Sequence, residues 1–200
     1  MKIYTIIGGV NGVGKSSLTG VLKDSRTDLG MIIDVDKITA ELGGNLLAGG
    51  KAALRKIDFC LKRELSFTQE TTLSGYRTEK TARQARDLGY LVRLYYVGLD
   101  SVEESLSRIQ NRVNHGGHDI DREDVLRRFS GRWEALAAIL PYCNEAVFFD
   151  NENGFEKVAE YSNGELRRVG ERAPKWLRDF SSYLSSTYEN VQEEAEEPEL

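Results

Sequence analysis

Cysteine, histidine and proline are scarce in this 200-residue chain, and each shortage closes off a class of protein. The two cysteines, Cys60 and Cys143, lie far apart with no ligand-spaced residues around them, so they read as buried thiols rather than a disulfide framework. The two histidines, His115 and His118, have no acid or cysteine at metal-ligand spacing, which points to hinge or lid contacts and away from zinc. Three prolines and no Gly/Ser/Pro-rich stretch leave no linker, and there is no internal repeat. No apolar run approaches the about 18 residues of a membrane span. Met1-Lys2 leads directly into an apolar strand pattern, so the expectation is a cytoplasmic protein without membrane contact.

Charge of one sign is also missing once its location is considered. The net charge is −5, but Glu189, Glu193, Glu194, Glu196, Glu197 and Glu199 crowd residues 189–200 without a base, leaving the rest at +1. A near-neutral body offers no basic footprint for nucleic acid. The acidic end reads as a disordered, solvating tail, and residues 1–188 as one domain.

What is present begins with Ile3–Gly8, an apolar run short enough for a buried strand, followed by Gly9, four residues, then Gly14-Lys15-Ser16. That is the phosphate-loop spacing with every fixed position filled. Glycines let the backbone turn its N–H groups around a polyphosphate, and the helix that follows directs its positive end at the same charge. Gly9, Asn11, Gly12, Val13, Gly14, Lys15, Ser16 and Ser17 are therefore the expected ATP-binding residues, with Ser16 as Mg²⁺ ligand.

Further along, Met31–Asp36, Ser66–Glu70, Tyr90–Val97 and Glu145–Asp150 read as strands and alternate with helical patterns over 52–65, 78–88, 102–113 and 122–138. This predicts an α/β three-layer sandwich around a mostly parallel five-stranded sheet, with ligands at the carboxyl ends of the strands. After Asn151 the pattern changes. Asn163-Gly164 signals a hairpin and Pro174 opens a last amphipathic helix, an accessory unit over about 154–186.

A phosphate loop serves kinases, ATPases and switches alike, so other residues must decide. Asp36 ends the second strand, where a carboxylate could take the proton from an acceptor hydroxyl; a water-mediated Mg²⁺ contact or a helix cap are its other uses. Asp34 is a second choice for the base. Gln69-Glu70-Thr71-Thr72 puts four polar side chains in a row, costly inside a sheet and useful for binding the hydroxyls of an acceptor. Arg108, Arg112, Arg122, Arg127 and Arg128 flank Gly116-Gly117 and suggest a lid over about 108–128 that brings guanidinium groups to phosphate. The alternative is ordinary surface arginines paired with Glu103, Glu104, Glu123 and Asp124. Asn151, just past the fifth strand, is assigned to the nucleotide by analogy only.

Taken together, Gly8–Leu18, Ile33-Asp34-Val35-Asp36, Gln69–Gly75, and Asn111–Ile120 with Arg127-Arg128-Phe129 resemble the short bacterial branch of the zeta toxin family. The resemblance spans about residues 3 to 180 and leaves out the acidic tail. It implies a P-loop kinase-like fold, ATP with Mg²⁺, UDP-N-acetylglucosamine as the phosphorylated acceptor, and an antitoxin as protein partner. It further implies Lys15 and Ser16 at the nucleotide, Asp36 as base, Glu70 and Thr71 (with Thr72) at the sugar nucleotide, and Arg112 and Arg128 as phosphate clamps. The larger toxins carry Glu-Gly-Thr where this chain has Glu70-Thr71-Thr72, and a related chloramphenicol-phosphorylating family shares the layout. A kinase of another hydroxylated small molecule therefore stays open, as does a nucleotide switch without an acceptor.

Overall fold

The structure, a computed structural model, describes residues 1–117 and 119–196, with 188–196 described by their backbone alone. Its frame is a single sheet in the order β2-β3-β1-β4-β5-β6-β7. Strands β1 (Ile3–Gly8), β2 (Met31–Asp34), β3 (Phe67–Thr71), β4 (Leu91–Gly98) and β5 (Glu145–Asp150) are parallel. Strands β6 (Glu156–Ser162) and β7 (Glu165–Arg168) form the hairpin expected at Asn163-Gly164. β6 pairs antiparallel with β5, so the sheet has seven strands rather than five and the hairpin is part of it. β1 lies between β3 and β4 and is buried on both faces, in keeping with a sequence apolar but for Thr5 and the Tyr4 hydroxyl.

Helices cover both faces. On one, α1 (Lys15–Ser25) packs Leu18 and Leu22 against Ile7, Tyr95 and Val97. On the other lie α3 (Leu46–Arg63), α4 (Arg77–Asp87), α7 (Arg132–Ile139) and α8 (Lys175–Glu196), which share a core with Tyr4, Phe67, Tyr96 and Phe148. The remaining helices are α2 (Val35–Glu41), α5 (Val102–Asn114) and α6 (Arg122–Ser130), with a 3₁₀ turn at Leu140–Tyr142. In α8, Trp176, Leu177, Phe180 and Leu184 are buried, each contributing about 1.5–3 kcal/mol by removal from water. Trp176 lies so close to β4 that a Cβ on Gly98 would fall 2.1 Å from its ring.

Three expected boundaries move. β2 stops at Asp34, and Asp36 sits in the first turn of α2, because the Asp34 carboxylate accepts a hydrogen bond from the Lys37 N–H (3.1 Å) and caps the helix. α3 starts at Leu46, six residues before the expected start. Asn45 caps it by accepting from the Ala48 N–H, and Gly49 lets it pass α2 so closely that a Cβ there would lie 1.9 Å from Thr39 Oγ1. The helix expected over 122–138 is broken at Gly131, which ends α6 and begins α7; glycine is a poor helix interior residue. The α8 backbone runs on to Glu196, into the segment expected to be a disordered tail. His118 and residues 197–200, and the expectations placed on them, lie outside the described residues. Cys60 and Cys143 are free thiols. No helix among the described residues is long and apolar enough to cross a membrane.

Candidate active site

The loop between β1 and α1 wraps the amino end of α1, at the carboxyl ends of the central strands. Two of its glycines are dictated by their surroundings. Gly12 has φ +74°, and a Cβ there would lie 2.8 Å from the Ser105 carbonyl on α5. Gly14 has φ +97°, and its Cβ would meet Asn151 Nδ2 at 2.6 Å. Both need a left-handed backbone and close approach, which glycine alone supplies without strain. Side chains from three elements lock this conformation. Ser105 donates to the Asn11 carbonyl (2.7 Å), Asn151 Nδ2 donates to the Val13 carbonyl (2.9 Å), and Arg128 donates to Asn11 Oδ1 (3.2 Å).

Lys15 lies over the loop, its ammonium donating to the Gly9 and Val10 carbonyls at 3.0 Å each. Enclosure lowers its pKa to about 8, opposed by the attraction of Asp36, Glu70 and Asp34. The Ser16 hydroxyl donates to Glu70 Oε2 (2.7 Å), and Thr19, one turn along α1, donates to Oε1 of the same carboxylate (2.5 Å). Glu70 is buried and committed to α1 through both oxygens. It braces the first turn of α1 and lines the same cavity as Thr71 and Thr72; the sequence reading assigns it to the acceptor.

Lys15, Ser16 and Glu70 open onto a cavity of about 440 Å³ that also takes in Asn11, Gly12, Gly14, Ser17, Asp34, Val35, Asp36, Thr71, Thr72, Arg108, Arg112 and Arg128. Almost every expected site residue meets there. Gly9, Val13 and Asn151 do not line it, and the Val13 side chain is buried. The two acids on the α2 side differ in employment. Asp34 is occupied as a cap, whereas the Asp36 carboxylate is exposed and has no hydrogen-bond or ion-pair partner among the described residues. Thr71 is partly spent on structure, its Oγ1 accepting from the Leu73 N–H (3.0 Å) and meeting Thr78 Oγ1 at 3.3 Å. Gln69, the first of the four polar residues, accepts from the Tyr4 hydroxyl inside the core and lies outside the cavity.

The arginines separate in the same way. Arg108 donates to Glu104 (2.6 Å) and to the Asn151 carbonyl (2.8 Å), so it ties two elements together at the cavity wall. Arg112 lines the cavity. Arg128 bridges Asp124 and Asn11, and its buried Nε has no hydrogen-bond partner, a donor still to be satisfied. Arg127 pairs with Asp124 and faces a neighbouring cavity of about 350 Å³, while Arg122 lines neither. His115 bonds the Asn111 carbonyl at the end of α5 and does not line the cavity. Sequence reasoning missed Thr19, Ser105 and the capping role of Asp34. Thr19 was detectable, since it is three residues beyond Ser16 on one helix face.

Among the described residues no group of three or more His, Cys, Asp or Glu could hold a metal alone. A hydroxyl held by a carboxylate beside a phosphate-binding loop is nevertheless the donor set that suits Mg²⁺ completed by phosphate oxygens.

Sheet order and loop give the chain a P-loop kinase-like fold of the zeta toxin type. The PezAT toxin–antitoxin system of Streptococcus pneumoniae aligns over 96% of this chain and 88% of that one, with a TM-score of 0.62 at 15% identity. The AvrRxo1-ORF1:AvrRxo1-ORF2 complex, crystallised with ATP, aligns over 92% of this chain and 64% of its own, with a TM-score of 0.66 at 15% identity. In sequence, an uncharacterised protein of Haemophilus influenzae is 32% identical over 126 residues, 60% of this chain and 88% of that protein, and the chain belongs to its family. No family profile matches the chain.

Proposed function

We propose that the protein is a small-molecule kinase that transfers the γ-phosphoryl group of ATP to a hydroxyl, with an amino-sugar nucleotide such as UDP-N-acetylglucosamine as acceptor. The observation that carries the reading is the unengaged Asp36 carboxylate on the wall of the cavity that also holds Lys15, with about 440 Å³ of open space. A nucleotide switch has no use for a free base facing such a space. The presence of ATP in the crystallised AvrRxo1 complex supports the choice of nucleotide.

In this reading the loop N–H groups and the amino end of α1 hold the β and γ phosphates, and Lys15 turns its ammonium from the loop carbonyls to them. Ser16, held by Glu70, contributes the protein oxygen for Mg²⁺, which when bound offsets phosphate charge and orients the γ group. Asp36 accepts the proton of the acceptor hydroxyl as its oxygen bonds to the γ phosphorus and the bond to the β-bridging oxygen breaks, leaving ADP. Arg112 and Arg128 place charge where the equatorial oxygens become most negative. Thr72 and Thr71 line the acceptor side. Residues 1–188 form the catalytic unit with α5 and α6 as its lid, in a cytoplasmic protein. The toxin–antitoxin pairing of the PezAT system makes an antitoxin-like protein part of the reading.

The test is incubation with Mg-ATP and UDP-N-acetylglucosamine, reading out the phosphorylated sugar nucleotide by mass. Lys15→Ala and Asp36→Ala should each reduce turnover by about 10²-fold or more. ATP loss that ignores every hydroxyl acceptor and is only halved in Asp36→Ala would replace this reading with the switch. Transfer to a different hydroxylated compound alone would keep the kinase and discard the sugar nucleotide.

A further inference from the structure

The wall of the nucleotide loop that faces away from the cavity is held by a group of residues far along the chain. Asn151, which bonds Val13 and receives Arg108, is flanked by Asp150 and Glu152. Asp150 is buried. Its Oδ1 accepts from the Trp176 indole N–H (2.9 Å), and its Oδ2 pairs with Arg172 (2.8 Å). Arg172 also pairs with Glu152 and, at 3.6 Å, with Glu156. Trp176 is fixed in turn by its own N–H, which donates to Asp100 (2.8 Å), the residue next to the Ser101 cap of α5. One guanidinium thus answers three carboxylates on the segment that touches the phosphate loop.

We propose that Arg172 is a positioning residue for the nucleotide: it neutralises Asp150, Glu152 and Glu156 and holds the post-β5 loop so that Asn151 sets the backbone at Val13 and Gly14. The proposal rests on the nucleotide reading above but not on the acceptor. Two physical effects act together. Without Arg172 three carboxylates lose their shared cation, two of them, the buried Asp150 and Glu152, directly beside Asn151, which touches the loop meant for a polyanion, so like charge is left next to that loop. The same loss frees the turn over Glu152–Gly154, whose register decides whether Asn151 reaches the Val13 carbonyl. Asp150 itself is kept by the indole of Trp176, so the core is retained while the loop above it is released.

The experiment is titration of full-length protein with a fluorescent ADP analogue and Mg²⁺, together with separate KM values for ATP and for UDP-N-acetylglucosamine. Arg172→Ala should weaken analogue binding and raise the ATP KM about 5- to 20-fold, with the acceptor KM and kcat changed less than twofold. Arg172→Lys should recover most of the loss. Glu152→Gln with Glu156→Gln in the Arg172→Ala background should recover part of it, which a purely packing role would not allow. Wild-type affinity in Arg172→Ala, or equal weakening of both substrates without rescue by the Gln pair, overturns the proposal and leaves the kinase reading standing. Absence of analogue binding to the wild type overturns both.

Discussion

Glu70 Oε2 lies 2.7 Å from the Ser16 hydroxyl, and that single contact joins the third strand to the residue expected to meet the metal. The carboxylate also holds Thr19, so it fixes the first turn of α1 from below. Glu70→Gln keeps the volume and one acceptor but removes the charge. It should raise the Mg²⁺ concentration needed for half-maximal activity about 10-fold while leaving the fold intact by circular dichroism. Glu70→Ala should cost about 1–3 kcal/mol of stability besides, since Ser16 and Thr19 lose a charged partner. Unchanged Mg²⁺ dependence in both variants would return Glu70 to the acceptor side.

Lys15 supplies a pH signature. Its pKa is lowered to about 8 by enclosure, and bound phosphate favours the charged form, so the protein must take up a proton to bind at higher pH. Affinity for an ADP analogue should be level below about pH 8 and fall up to about tenfold per unit above it. Lys15→Ala should bind more weakly and lose that slope. For folding the sign is opposite. The unfolded chain binds the proton more tightly, so the contribution of Lys15 to stability rises between about pH 8 and its ordinary pKa of 10.5.

Gly49 and Thr39 set the distance between α3 and the helix that carries Asp36. A Cβ at 1.9 Å from Thr39 Oγ1 must push the helices apart, so Gly49→Ala should lower kcat about 10-fold and leave nucleotide affinity within twofold. Thr39→Ala in the same chain removes the colliding oxygen and should return part of the rate. A parallel loss of nucleotide binding would place the damage in the whole fold.

Asp28 lies at the opposite end of the sheet, where Arg26 donates two hydrogen bonds to it and the buried Arg93 a third. These hold its carboxyl well below the usual range, Arg26 contributing most. A lowered folded pKa gives stability that is complete above about pH 4 and is lost as pH falls toward the folded value. Asp28→Ala should therefore destabilise by about 1–3 kcal/mol at pH 7, because Arg93 is left with Glu145 alone. The difference from wild type should shrink below pH 4 in urea denaturation.

Sequence alone carried the strand–helix alternation, the phosphate loop and the hairpin turn, because each depends on local periodicity or on a fixed residue pattern. It could not show that β6 joins β5, since pairing partners are chosen by the whole sheet. Asp36 was singled out by its expected place at the end of an apolar strand, although that strand stops two residues earlier. The contacts of Glu70 were not legible for a related reason: its polar neighbours suggest an acceptor site, and only the three-dimensional approach of Ser16 and Thr19 reveals where its oxygens are spent. Arg172 gave no signal, as its three partners lie 16 to 22 residues away.

The pairing of β6 on β5 also decides where the sheet ends. Were β5 the outermost strand, its open backbone groups would adjoin the turn that carries Asn151, and any foreign chain adding there could disturb it. Two further strands carry the open border away to β7, whose Glu165, Arg167 and Arg168 are exposed charges that discourage a stranger from docking.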